Sequence, residues 1–200
     1  CAFEIDEKSK HRQRELKKII DDCCAKLPKW FPEHPNAAKY QAELLQKAME
    51  LAKSGEWSCR NICEIGGGWV GEEALAIAVY ACMRHANDFS AAIKVAVNHD
   101  GDSDSTGAIC GNIMGAMLGI ESIDREWAEG LEMSDLVLEV AKDLCDDCQM
   151  KEFGHYVDEK WIAKYSGSSM GTIAINDYLR GETRLSNQEG VSDPFDNLIS

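Results

Sequence analysis

Val97 to Gly119 reads VNHDGDSDSTGAICGNIMGAMLG. Asp100, Asp102 and Asp104 fall within five residues, and Gly107, Gly111, Gly115 and Gly119 then recur at every fourth position. Asp102 and Asp104 form an Asp-x-Asp pair with Ser105 adjacent, a set of hard oxygen donors suited to Mg²⁺, Mn²⁺ or Ca²⁺ rather than to soft metals. In locally extended backbone, residues i and i+2 project to the same side, so both carboxylates can converge on one ion. Two carboxylates held that close repel each other, and a bound cation keeps both ionised.

An EF-hand fails by counting. A loop starting at Asp100 puts Ser105 where glycine belongs and Gly111 where the bidentate Glu belongs. A loop starting at Asp102 places Gly107 correctly but ends on Ile113. The remaining alternative to a metal loop is an Asp/Ser-rich turn that caps the next helix. Glycine costs a helix about 1 kcal/mol per residue relative to Ala. The glycine stripe therefore needs a compensating reason, for which close approach of a neighbouring helix is the expectation.

Working outward, nearly every patterned segment has a helical period and no alternating strand appears. The spacing predicts a helix over Lys8 to Leu27, ended by the prolines of LPKWFPEHP, and a second over Ala37 to Ser54, closed by Gly55. GGGWVG follows as a loop, and EEALAIAVYACMRHA as a nearly apolar, buried helix. Ser90 is the expected N-cap of a short helix in DFSAAIKVAVNH, and Ser134 or Asp135 that of the last helix. The expected organisation is one all-α domain over residues 1–165 and a polar C-terminal tail over 166–200.

The 200 residues suit one sizeable core, and the net charge of −14 argues against binding nucleic acid through its phosphates. No apolar run reaches the length of a membrane span, so no membrane partner is expected. Nine cysteines without a secretory pattern point to a reducing cytoplasm. Cys82 and Cys110 sit in apolar helical patterns as small hydrophobes, and CDDC, Cys145 to Cys148, reads as part of a helix rather than a zinc site.

HDGDSDSTGAICGNIMGAMLGI resembles the C-terminal metal motif of the ADP-ribosylglycohydrolase family, in which a Gly-Asp-Ser/Thr-Asp-Ser/Thr run precedes a Gly/Ala-rich helix. GGGWVGEEALAIAVYACMR, Gly66 to Arg84, looks like the segment before that motif, and IESIDREWAEGLEMSDLVLEVAKDL looks like the family's closing helix. The resemblance covers roughly residues 37 to 145 and lies in three motifs in the expected order. It implies an orthogonally packed multi-helix domain with two Mg²⁺ ions, or Mn²⁺, at the base of a cleft for ADP-ribose. By position Asp102, Asp104 and Ser105 would be metal ligands, with Ser105 where the family usually has Thr. Gly68, Trp69 and Val70 fall where family members line the ADP-ribose pocket, although Trp69 reads equally as core and Gly66 to Gly68 as a phosphate cradle. His99 and Asp100 flank the ligands and could support them from behind. No catalytic acid or base is assigned.

The implied activity is hydrolysis that removes ADP-ribosyl groups from a protein side chain or small acceptor; the alternative is a non-catalytic relative that keeps the scaffold. The family's N-terminal acidic motif has no counterpart in residues 1 to 60, since Asp21 and Asp22 sit in an amphipathic helix. The chain also begins at Cys1 rather than Met. The expectation is a C-terminal portion holding half of the dinuclear site, completed by an N-terminal segment or a second chain.

Overall fold

The computed structural model describes residues 7–53 and 59–146. Every regular element among them is helical: α1 (Glu7–Trp30), α2 (Pro35–Lys53), α3 (Cys59–Ile65), α4 (Gly71–Arg84), α5 (Phe89–Val97), α6 (Ser103–Leu118), α7 (Arg125–Gly130) and α8 (Ser134–Asp146), with a short 3₁₀ helix at Ile120–Ser122 after α6. The all-α expectation is met. The chain divides into two compact units, Cys1–Asp124 and Arg125–Ser200. The polar stretch 166–200, Gly55 and Cys148 lie outside the described residues.

In the first unit, α1 extends beyond the expected Leu27, through Pro28 to Trp30. Proline removes one N–H near the helix end, but Phe31 N–H still reaches Leu27 O at 2.9 Å and completes the last turn. Pro35 then opens α2, where its missing N–H costs nothing and its fixed φ suits the first helical position. The buried face of α1 is Leu16, Ile20 and Cys24, at i, i+4 and i+8, whereas Ile19 is 59% exposed.

α4 is the hub and packs against α1, α2, α3, α5 and α6. Ala76 through Met83 is buried without interruption, as its nearly apolar composition predicts, and the alanines let neighbouring helices approach from several sides. Tyr80 is fully buried, and its hydroxyl accepts from Asn61 Nδ2 at 3.2 Å. Cys82 and Cys110 bring α4 and α6 together, with their Sγ atoms 3.6 Å apart. The hydrogen bond with Cys110 and burial push the Cys82 thiol far up, so it stays protonated and packs as a small hydrophobe.

One helix was not foreseen and two helix starts differ from expectation. α3 was not legible, because Ile62 and Ile65 are its only buried residues and seven residues are too short to show a period. Asp88, not Ser90, caps α5, with its side chain accepting from Ala91 N at 2.8 Å. In the second unit α8 starts at Ser134, and Val137 N–H bonds to Met133 O at 3.0 Å. Met133, rather than Ser134 or Asp135, thus holds the position before the helix, with φ of 59°. Cys145 is an exposed residue of α8. Among the described residues no helix is long and apolar enough to cross a membrane.

Candidate functional site: two loops joined at the N-termini of α4 and α6

The loop 66–70 leads into α4 and the loop 98–102 leads into α6. They meet through backbone: Asp102 N–H donates to Gly67 O at 2.8 Å. Gly101 is pressed so closely on Gly67 that a Cβ there would lie 1.8 Å from Gly67 O. Gly68 adopts a left-handed φ of 77°, and its Cα face looks onto Thr106 Cγ2 and Ile77 Cδ1.

Glu73 secures the first loop from inside. Its Oε2 accepts from both Gly67 N–H and Gly68 N–H, each at 3.0 Å. An acid in the first turn of a helix is favoured by the exposed N–H groups there, and here it reaches back past the cap residue Val70. This bears on the phosphate-cradle alternative, since an anion at Gly67 and Gly68 would have to displace the carboxylate. Glu73→Ala is expected to cost about 1.5–3 kcal/mol, the range for a charge-assisted hydrogen bond. It also uncovers two N–H groups, so inorganic phosphate should raise the melting temperature of the variant and not of the wild type. A phosphate shift of equal size in both proteins would contradict this.

Trp69 is not core. It is 72% exposed, with its indole edge leaning over Gly67, and Val70 beside it is also exposed. Loop 66–70 therefore presents an aromatic and an aliphatic surface to solvent, next to the acidic loop.

Asp102 occupies the N-cap position of α6, yet its side chain makes no capping hydrogen bond. The helix-capping alternative is thus only half realised: the residue stands at the cap without a capping hydrogen bond from its side chain. Hydrogen bonds with the neighbouring Asp104 carboxyl and then with Ser105 hold the Asp102 carboxyl below its usual range. Asp104 is exposed, and its Oδ1 accepts from Ser105 N–H at 3.0 Å. Asp100 is exposed on the same loop, whereas His99 is half-buried and turned toward Thr106. Among the described residues no group of three or more His, Cys, Asp or Glu is arranged to hold a metal ion.

The glycine stripe behaves as expected only at its start. A Cβ on Gly107 would meet Val97 Cγ1 at 2.7 Å, so α5 approaches closely there and the Val97 side chain would have to shift for any larger residue. A Cβ on Gly111 would have ordinary room against Ile93, and one on Gly115 or Gly119 would meet no described atom of a neighbouring element within 4 Å. The face of α6 buried at the centre of the unit is the adjacent stripe, Thr106, Cys110 and Met114. Sequence reasoning passed over Glu73 and Thr106. The signal for Glu73 was an acid three residues into a helix that follows a glycine triplet.

The description of the ADP-ribosylglycohydrolase family matches this chain over residues 5–153, further toward the N-terminus than the three motifs alone. An ADP-ribosylarginine hydrolase, Tri1, from Pseudomonas putida (strain GB-1) is 28% identical over 96 residues. That stretch is 48% of this chain and 26% of the relative, so the chain matches about a quarter of that protein's length. No solved structure matches. The family match over most of the chain, on an all-helical scaffold that brings the glycine loop against the acidic loop, means that the chain belongs to the ADP-ribosylglycohydrolase family.

Proposed function

We propose that this chain provides the Asp102, Asp104 and Ser105 side of a divalent-cation site in a hydrolase that removes ADP-ribosyl groups from a protein side chain or a small acceptor. The observation that carries the reading is the Asp102 carboxylate at the start of α6, hydrogen-bonded with Asp104 and Ser105 rather than paired to a cation, and joined through its own N–H to the Gly67 loop. The donor chemistry fits Mg²⁺, with Mn²⁺ as the substitute: hard oxygens, partly open to water, with no Lys or Arg paired to them among the described residues. It fits part of an ion's shell only, and the remaining ligands of the two-ion site would come from water, substrate and protein groups outside the described residues.

When bound, the ions supply concentrated positive charge that can polarise ribose hydroxyls and orient water near the anomeric carbon. The residues of this chain divide the rest of the work. Asp102, Asp104 and Ser105 hold the ions, Trp69 and Val70 offer apolar surface to the ADP-ribose, and Glu73 keeps loop 66–70 in shape. The name of the Pseudomonas relative makes ADP-ribosyl-arginine the first substrate to assay, with ADP-ribosyl-serine as the comparison. The incomplete ligand set favours a second reading, a relative that keeps the scaffold without catalysis.

Magnesium titration followed by thermal melting tests the cation site. The melting temperature of the wild type is expected to rise with Mg²⁺, and that of Asp102→Ala to stay flat. No rise in the wild type, or an equal rise in the variant, would sink the cation site. Release of ADP-ribose from either substrate by the wild type, lost in Asp102→Ala, would separate the hydrolase from the scaffold.

A further inference from the structure

One imidazole spans the turn between α5 and α6. His99 Nδ1 accepts from Gly101 N–H at 3.0 Å, and His99 Nε2 lies 3.1 Å from Thr106 Oγ1. Because Nδ1 is an acceptor, the ring proton belongs on Nε2, which donates to Thr106. The Thr106 hydroxyl keeps its own proton for Ala96 O, at 2.7 Å, with Asp102 O and Ser103 O further away at 3.1 and 3.2 Å. The relay therefore runs from Gly101 N–H through His99 and Thr106 to the last turn of α5. Thr106 is fully buried, so its end of the relay is anchored in the core. The other end is Gly101, the residue whose backbone is pressed against Gly67 and which directly precedes Asp102.

We infer that His99 is a positioning residue for the Asp102–Ser105 oxygens: its Nδ1 sets the Gly101 peptide and thereby the direction in which Asp102 leaves the loop. The inference rests on the cation-site reading and adds to it the group that aims the ligands. A purely structural His99 would contribute to the melting temperature and leave the ion affinity of the folded protein alone. A positioning His99 changes that affinity, because groups that orient a ligand typically alter metal binding by about 10–100-fold.

The experiment is Mn²⁺ binding to the 200-residue chain, read from the electron paramagnetic resonance signal of the free ion. Only binding lost in Asp102→Ala is counted, so that weak association with an acidic surface is subtracted. His99→Ala is expected to weaken that binding by about 10–100-fold. His99→Asn, whose Oδ1 can stand where Nδ1 does, should remain close to wild type. His99→Gln, which keeps a donor toward Thr106 without that acceptor, should be as weak as the alanine variant. The Asn and Gln pair decides the matter if the alanine variant does not fold. Wild-type affinity in a folded His99→Ala or His99→Gln protein overturns the inference, and so does an Asn variant as weak as Gln. Absence of Asp102-dependent Mn²⁺ binding in the wild type overturns the cation-site reading itself, and the inference with it.

Discussion

Gly101→Ala is expected to destabilise the first unit by about 3 kcal/mol, the upper end for overpacking a closed site. The added methyl would lie 1.8 Å from Gly67 O, 2.7 Å from Gly67 C and 3.0 Å from Gly67 Cα. All three are backbone atoms, so no rotamer change can make room. The two loops must part, and the bond between Asp102 N–H and Gly67 O is the first thing lost. Thermal or urea unfolding measures the cost, and amide hydrogen exchange at Asp102 reports where it is spent. The expected pattern is faster exchange at Asp102 with protection retained in α4. A variant that melts with the wild type and exchanges as slowly at Asp102 would show that the two loops are not in contact.

Ile77→Ala is the second large effect, about 2–5 kcal/mol for truncating a fully buried aliphatic chain. Ile77 lies in the middle of α4 with no exposed surface. Its Cδ1 would be 3.6 Å from a Cβ on Gly68, so it also forms the floor under loop 66–70. The natural control is Ile19→Ala on α1, where the side chain is 59% exposed and the change should stay within about 0.5 kcal/mol. Urea denaturation of both variants gives the comparison directly. Similar costs for the two isoleucines would contradict the packing described here.

That pair also marks where sequence reading stopped. Leu16, Ile19, Ile20 and Cys23 all recur at helical spacings, and periodicity alone does not say which of them the core takes. The packing selects Leu16, Ile20 and Cys24. A period locates a stripe to within a residue or so, and the neighbouring helix chooses its centre. The same holds on α6, where the conspicuous glycines flank the buried stripe of Thr106, Cys110 and Met114. The cap at Asp88 was missed for a related reason: Asp88 and Ser90 could both serve, and local chain direction decides between them.

The sequence by itself determined that the fold is all-α, that α4 is a buried helix, and that hard oxygen donors are concentrated at Asp102, Asp104 and Ser105. These are properties of composition and period, carried by residues near one another along the chain. Only the tertiary structure decided that Trp69 faces solvent, that Glu73 fills the N–H groups of the glycine loop, and that His99 and Thr106 brace the acidic turn. Hydrogen bonds have direction and short reach. Which carboxylate meets Gly67 and Gly68, and which backbone meets Gly101, follows from how α4 and α6 are packed side by side.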